Sequence, residues 1–151
     1  MTAVPAISRL PTAYGTFVIH GFEQGHLALV LGDVRNSRVL GRIHSSCITS
    51  EAFGSLRCDC AQQLDGALEA ISMRGQGILI YLQQEGRGIG LIEKLRAYNL
   101  QDQGLDTVDA NRALGHPDDG RTYQAAVEIL RHFDVSEIDL LTNNPQKVQS
   151  L

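Results

Sequence analysis

Three cysteines close together in the sequence are the residues with the clearest potential for chemistry. They are Cys47, Cys58 and Cys60, and the chain has no other cysteine. Three thiolates can bind a zinc ion and leave its fourth position open for water, as a catalytic zinc requires. A structural zinc site is normally closed by a fourth protein ligand, so the cysteine count favours a catalytic site.

Spacing alone leaves other interpretations of these cysteines open. Free cysteines pack well in apolar cores. A single disulfide would leave one free thiol, although an odd count fits a disulfide framework poorly. His44, three residues before Cys47, could also complete a closed structural site as a fourth ligand.

The composition indicates one globular domain. The chain has 151 residues, of which 43% are hydrophobic and 20% charged, as in an ordinary soluble domain. No apolar run is long enough to cross a membrane, and the first residues lack the apolar core of a signal peptide. We therefore expect a cytoplasmic protein without a membrane partner, in which thiols stay reduced and can bind metal.

The charge balance excludes one class of partner. The formal net charge is −4, which argues against a nonspecific grip on nucleic acid. The cations are 11 Arg and only 2 Lys. Arginine makes forked contacts with phosphate and carboxylate groups, but taken alone this excess is better explained by a codon bias.

The hydrophobic pattern predicts a single α/β domain with a mixed sheet, in which a β-rich first third precedes alternating helices and strands. Strands are predicted over residues 16–21, 26–31, 38–44, 78–82 and 138–141, with a hairpin loop over 33–37 between the second and third. Helices are predicted over residues 61–74, after the glycine-rich loop to about 100, from Thr107 as N-cap to Gly115, and over 122–133.

Two further loops contain residues that could bind a ligand or take part in a reaction. Residues 84–90 read Gln-Glu-Gly-Arg-Gly-Ile-Gly between a buried strand and a helix start, where glycines and the helix N-terminus suit an anion. The loop lacks the Gly-Lys-Ser/Thr of a Walker loop, so by itself an ordinary tight turn is the better interpretation. Residues 118–121 place two aspartates beside Arg121, which alone would indicate a solvated salt bridge.

Taken together, these segments resemble GTP cyclohydrolase II, the zinc enzyme that opens GTP at the first step of riboflavin synthesis. The resemblance rests on residues 42–47, 58–60, 84–91, 95–98, 100–104, 106–111, 115–121 and 141–145, in order and with matching spacing. It predicts one GTP cyclohydrolase II-like domain over residues 1–151. Family members typically continue for several tens of residues, so we expect this domain to lack the usual C-terminal segment.

The resemblance assigns roles to particular residues. It implies that Cys47, Cys58 and Cys60 are zinc ligands. It implies that Tyr98 lies near the base and the metal water, that Asp119 is the general base, and that Arg121 is the nucleophile on the α-phosphate. The implied substrate-binding residues are Arg42, Ile43, His44, Ser45, Ser46, Gln63, Glu85, Gly86, Arg87, Thr107, Thr142 and Lys147.

The resemblance also implies a reaction. GTP would lose formate and pyrophosphate to give 2,5-diamino-6-ribosylamino-4(3H)-pyrimidinone 5′-phosphate, with one Zn²⁺ per chain, Mg²⁺ on the triphosphate and a homodimeric assembly. A guanidinium is protonated at neutral pH. A cationic Arg121 that stabilises charge therefore explains this residue with less unusual chemistry than a covalent nucleophile does.

One residue departs from the family pattern. The position before the first cysteine is usually acidic in this family, and here it is Ser46. Because of this departure, a second assignment stays open, namely a related cyclohydrolase that retains the formyl group or serves another pathway. A zinc-stabilised binding module without catalysis is a further alternative, against which the presence of Tyr98, Asp119 and Arg121 argues.

Overall fold

A computed structural model of the chain describes residues 5–142 and 145–151, and a six-stranded mixed sheet forms its centre. The strands are β1 (Ala6–Thr12), β2 (Gly15–Gly21), β3 (Leu27–Leu31), β4 (Arg38–Ser45), β5 (Gly77–Leu82) and β6 (Glu137–Leu140). The helices are α1 (Ile48–Glu51), α2 (Cys60–Arg74), α3 (Leu91–Asp102), α4 (Thr107–Ala113), α5 (Gln124–His132) and α6 (Pro145–Gln149). The predicted α/β fold class is confirmed.

The strand order is β1-β2-β3-β5-β4-β6, and it corrects the predicted hairpin at residues 33–37. β5 lies between β3 and β4, antiparallel to β3 and parallel to β4. Ile78 and Ile80 pack on one face of β5 and Leu79 on the other, all of them buried. A strand buried on both faces belongs in the interior of a sheet, so β5 separates the two strands that the short polar loop seemed to pair.

Helices cover both faces of this sheet. On one face, Ala67, Leu68 and Ile71 of α2 pack with Phe17 and Leu79. On the other face, α5 packs against β4 and β5 through the stripe predicted from the sequence, with Ala126, Ile129 and Phe133 buried in the core and Leu130 packed against it. Burial of each large apolar side chain contributes about 1.5–3 kcal/mol, and the two layers hold β4 and β5 rigidly in place.

The sequence analysis missed one strand and misplaced one helix cap. Strand β1 was not predicted, because it is an edge strand whose residues 6–9 are exposed and so lacks a clear apolar pattern. Asp106, rather than Thr107, is the N-cap of α4, since its Oδ1 accepts the Asp109 N–H at 2.7 Å. A carboxylate is among the most favoured N-cap groups, and it leaves the Thr107 hydroxyl to accept from Gln101 Nε2 at 3.2 Å.

The parallel pair β4 and β5 defines where a ligand can bind. The two strands end side by side, with Ser45 opposite Leu82. β4 leads directly to Cys47, and β5 leads directly to the glycine-rich loop. Open α/β sheets bind ligands outside the carboxyl ends of such strands. In the described part of the chain, helices of the length and apolarity needed to cross a membrane do not occur.

Candidate metal and nucleotide site

A cavity of about 390 Å³ opens at the carboxyl ends of β4 and β5. It gathers most of the residues that the resemblance assigned to the site, although they come from distant parts of the chain. The assigned residues that line it are Arg42, His44, Ser45, Ser46, Cys47, Cys58, Cys60, Gln63, Glu85, Gly86, Arg87, Tyr98, Thr107, Arg121 and Lys147.

Three assigned residues have a different relation to this cavity. The Ile43 side chain is fully buried in the core, and it is the Ile43 carbonyl that accepts a hydrogen bond from Lys147 Nζ at 2.8 Å. Asp119 reaches the cavity through its contact with Arg121. Thr142 follows the end of β6, and the adjacent Leu141 carbonyl accepts from Arg42 at 3.1 Å. Asn143 and Asn144, from the segment 141–145 on which the resemblance partly rests, lie outside the described residues.

The three cysteines converge on one point. Their Sγ atoms all lie within 4.8 Å of one another, and Cys47 Sγ is 3.6 Å from Cys58 Sγ, so no disulfide joins them. Cys60 is the first residue of the fifteen-residue helix α2, and a helix N-terminus favours a thiolate. Ser50 Oγ accepts the Ala61 N–H at 2.9 Å, which fixes the Cys47 loop against this helix start.

The electrostatics of the cluster suit a divalent cation. Burial, together with the neighbouring Cys58 and Cys47, raises the pKa of Cys60 to about 12. Burial opposes ionisation of Cys47 as well, but hydrogen bonds from Lys94, the Ser50 backbone and Thr49 lower its pKa overall. Ionisation of all three thiols this close together is unfavourable, and a soft divalent cation such as zinc would displace the remaining proton and relieve the repulsion between the sulfurs.

His44 does not complete the cluster, because both of its ring nitrogens have other partners. Arg42 Nε donates to His44 Nδ1 at 3.1 Å, which leaves the ring proton on Nε2. That nitrogen donates to the carboxylate of Glu51, whose other oxygen accepts from the Tyr81 hydroxyl at 2.5 Å. His44 therefore orders the end of β4, and the cysteine group keeps three protein ligands.

Cationic side chains line the same cavity as the cysteines. Arg42 donates to Gln63 Oε1 at 2.6 Å, and Gln63 in turn donates to Asp59 at 2.9 Å. Lys147 is 6% exposed. Burial, with the nearby charges of Arg42 and Arg121, lowers the pKa of Lys147 to about 8. Cations held this closely without an equal number of carboxylates create a strong attraction for an anion.

Asp119 and Arg121 form a tight pair at the edge of the cavity. Arg121 donates to the Asp119 carboxylate at 2.5 to 3.1 Å through its side chain and at 2.9 Å through its backbone N–H. Burial alone would raise the pKa of Asp119, but these bonds lower it overall. The bond to Asp119 raises the pKa of Arg121 against the effect of burial, so in this conformation the pair is a carboxylate and a guanidinium.

The glycine-rich loop packs against the turn that holds Asp119 and Arg121. Gly86 and Arg87 have left-handed backbones, with φ of 64° and 60°. The Gly120 N–H donates to the Arg87 carbonyl at 2.9 Å, and a Cβ at Gly88 would lie 2.8 Å from the Gly120 carbonyl. Glycine at position 88 is therefore required for the loop to pack against the turn that holds Asp119 and Arg121.

The carboxylate of Glu85, a residue that the resemblance assigns to substrate binding, is hydrogen-bonded within the protein. Its Oε1 accepts from Lys94 Nζ at 2.5 Å and from the Gly86 N–H at 3.0 Å, and its Oε2 accepts the Ile48 N–H at 2.9 Å. Glu85 also lines the cavity, so its role in substrate binding stays a prediction.

Tyr98 lies in α3 with its hydroxyl directed toward the cysteine loop. Its oxygen is 3.1 Å from Thr49 Oγ1, and Thr49 Oγ1 is 3.7 Å from Cys47 Sγ. The Arg57 guanidinium lies over the ring at 4.4 Å from its centroid. These contacts fix the phenol beside the cysteine cluster.

Sequence reasoning missed several of these residues, including Thr49, Glu51, Arg57 and Lys94. One signal was available for Lys94, since the chain has only two lysines and both line the cavity. A rare cation in an arginine-rich chain indicates a site that needs a compact ammonium group.

Comparisons with known proteins identify the family. The model of the GTP cyclohydrolase II family matches residues 4–151. The chain is 52% identical to a GTP cyclohydrolase-2 of Neisseria meningitidis serogroup A over 97% of this chain and 77% of that protein. It is 53% identical to that of Hahella chejuensis and 54% identical to that of Pseudomonas aeruginosa strain LESB58, over 97% of this chain and 73% and 74% of those proteins. The chain therefore belongs to the GTP cyclohydrolase II family of enzymes.

A solved structure shares the fold. It is a two-domain 3,4-dihydroxy-2-butanone 4-phosphate synthase from A. baumannii, with a TM-score of 0.50 and 20% sequence identity. The match covers 92% of this chain and 33% of that one. At this identity the likeness supports the α/β architecture and nothing about the reaction.

Proposed function

We propose that this protein hydrolyses GTP at two places. It would open the imidazole ring with release of formate and cleave the triphosphate with release of pyrophosphate, to give 2,5-diamino-6-ribosylamino-4(3H)-pyrimidinone 5′-phosphate for riboflavin synthesis. The observation that carries the proposal is that the cysteine cluster and Arg121 line the same cavity. The relatives named GTP cyclohydrolase-2 support the choice of substrate. A homodimer and a cytoplasmic location stay predictions from the resemblance and the composition.

Cys47, Cys58 and Cys60 would hold the zinc ion. When bound, zinc would supply Lewis acidity and a water whose pKa lies near neutrality. Tyr98, whose hydroxyl is fixed by Thr49, would orient the attacked part of the base and donate a hydrogen bond as negative charge develops there.

The cationic side of the cavity would bind the phosphates. A volume of about 390 Å³ is within the range of small-molecule sites. Arg42, Arg87, Arg121 and Lys147 line it and would attract a polyphosphate, with Mg²⁺ to neutralise the remaining charge. The cavity would therefore place the base near the cysteines and the phosphates near Arg121.

We further propose that Arg121 acts as a cation. Its ion pair with Asp119 keeps the guanidinium protonated, which suits stabilisation of charge on the departing pyrophosphate. A covalent role would first require transfer of an Arg121 proton to Asp119, whose Oδ2 lies 2.5 Å from Nη2. Asp119 would then serve to position Arg121 in both cases.

We expect the protein to turn over GTP at least about a thousandfold more efficiently than ATP, because a site built to hydrogen-bond one base edge leaves buried polar groups unpaired with another. Ser45, Ser46 and Gln63 are placed to contribute to this discrimination. The comparison of kcat/KM for the two nucleotides, with zinc and Mg²⁺ present, tests the proposed function. Equal turnover of both would contradict it.

A second candidate reaction rests on Ser46. Its hydroxyl is buried and has no hydrogen-bond partner among the described residues, at a position that is usually acidic in the family. Loss of that carboxylate could stop the reaction after ring opening, with the formyl group retained. The mass of the product distinguishes this outcome from complete deformylation.

Lys147 should make GTP binding depend on pH. Its pKa is lowered to about 8, so it carries its charge below this pH and loses it as the pH rises further. Above about pH 8 the triphosphate therefore loses one cation, and the dissociation constant for GTP should rise by up to about tenfold per pH unit. Calorimetry with a non-hydrolysable GTP analogue measures this effect.

Lys147→Met is the matched control for that measurement, because GTP and Mg²⁺ have their own pH dependence. The variant should bind the analogue more weakly below pH 8 and converge with the wild type above it. Parallel pH profiles for the two proteins would show that Lys147 does not contact the phosphates.

A further inference from the structure

Lys94 lies where the cysteine loop meets the glycine-rich loop. It extends from α3, and its Nζ is 3.1 Å from Cys47 Sγ and 2.5 Å from Glu85 Oε1. One ammonium group thus contacts a proposed metal ligand and a carboxylate of the nucleotide loop at the same time. Neither the motifs nor the resemblance assigned this residue.

Glu85 links the backbone of the cysteine loop to the backbone of the glycine-rich loop. Its second oxygen accepts the N–H of Ile48, the residue that follows Cys47, and its first oxygen also accepts the N–H of Gly86. The backbone on each side of the junction is therefore hydrogen-bonded to the same carboxylate, and that carboxylate is held by Lys94.

The pair is protected from solvent. The side chains of Lys94 and Glu85 are 11% and 15% exposed, unlike Arg96 on the same helix, which is 63% exposed and pairs with Glu93. Exposed ion pairs contribute little to stability, whereas removal of one partner from a buried pair leaves an uncompensated charge. Lys94 and Glu85 should therefore act as one structural unit.

The loop that this pair anchors has an unfavourable backbone. Arg87 adopts a left-handed conformation that non-glycine residues rarely occupy, and the loop also bonds to Gly120 through the Arg87 carbonyl. A strained loop persists only when its surroundings fix it. The contacts from Cys47 through Lys94 and Glu85 supply such a constraint on the side of the cysteines.

We propose that Lys94 is a positioning residue that couples the metal ligand Cys47 to the conformation of the nucleotide loop. Occupation of the cysteine cluster would fix Cys47, and through Lys94 and Glu85 it would fix the Gly86 amide. An empty cluster would leave the loop more mobile and the nucleotide site less well formed. This inference rests on the zinc site of the proposed function, but its readouts require no turnover.

The test measures zinc binding and amide hydrogen exchange in the wild type, in Lys94→Met and in Arg96→Met as a control on the same helix. Mutation of a residue bonded to a metal ligand typically lowers metal affinity ten- to a hundredfold, and we expect a loss of about this size in Lys94→Met alone. Zinc should slow exchange at the Gly86 and Ile48 amides of the wild type and of Arg96→Met about five- to tenfold, the size of one hydrogen bond. In Lys94→Met, zinc should not slow exchange at these two amides.

Glu85→Gln provides a second variant in case Lys94→Met does not fold by circular dichroism. It keeps the shape of Glu85 and the contact of Lys94 with Cys47, so zinc should still bind. The amide oxygen stays with Lys94 and the Gly86 N–H, whereas the amide nitrogen faces the Ile48 N–H and cannot accept from it, so the zinc-dependent protection of Ile48 should be lost. Equal protection by zinc in the wild type and in these variants would overturn the coupling. A wild-type protein that takes up no zinc would contradict the proposed function itself, and the inference with it.

Discussion

Replacement of Cys60 by serine is expected to remove the bound zinc and to lower formate release by about a thousandfold or more. Cys60 contributes one of only three thiolates whose Sγ atoms meet within 4.8 Å, and two cysteines alone do not form a stable zinc site. Without the metal, the cavity would lose the Lewis acid that makes a water reactive at neutral pH, which is worth several kcal/mol of the barrier. Metal analysis of the purified variant and a coupled formate assay measure the two effects.

The control for this variant is Met73→Ser, which introduces a serine on the exposed face of the same helix. It should keep zinc and activity. Circular dichroism of both variants separates loss of metal from loss of fold. Full zinc content in Cys60→Ser would show that the cysteine cluster is not the metal site.

Replacement of Arg121 by alanine is expected to lower pyrophosphate release at least about a hundredfold, the usual cost of removing a group that stabilises transition-state charge. Zinc should remain bound, because the hydrogen bonds of the Arg121 side chain within the described part of the chain go to Asp119 and not to a cysteine. Removal of the guanidinium also leaves the Asp119 carboxylate, an anion, facing the phosphates. Pyrophosphate, formate and zinc content should be measured in the same preparation.

Arg112→Ala is a close control for Arg121→Ala. Arg112 forms a similar pair with Asp118 at 2.8 Å, but the two side chains are 63% and 49% exposed, so its loss should have little effect. If Arg121→Ala released pyrophosphate at the wild-type rate, Asp119 and Arg121 would be no more than a structural ion pair.

The sequence was sufficient to predict the elements that have a strong local signal. The continuous apolar run at residues 78–82 predicted a strand buried on both faces, and β5 confirms it. The stripe on α5 likewise gave the correct buried face. Strand order was not predictable from these patterns, since the pairing of β5 between β3 and β4 joins residues far apart in the chain. A short polar loop between two strands therefore suggested a hairpin that does not exist.

In the site, too, features with a local sequence signal were predictable, and features that depend on contacts between distant segments were not. The spacing of Cys47, Cys58 and Cys60 suggested a shared site, and their Sγ atoms do lie within 4.8 Å of one another. The roles of Lys94 and Glu51 arise only when separate segments meet in space: Lys94 contacts Cys47, and Glu51 contacts His44 and Tyr81. The bonds of Glu85 to Lys94 and to the Ile48 N–H likewise depend on contacts between separate segments.

The most direct test of the account is the mass of the product formed from GTP by the zinc-loaded wild-type protein with Mg²⁺. The account predicts 2,5-diamino-6-ribosylamino-4(3H)-pyrimidinone 5′-phosphate, with formate and pyrophosphate released in equal amounts. Recovery of unchanged GTP, of GMP with an intact ring, or of a product that still carries the formyl group would contradict it.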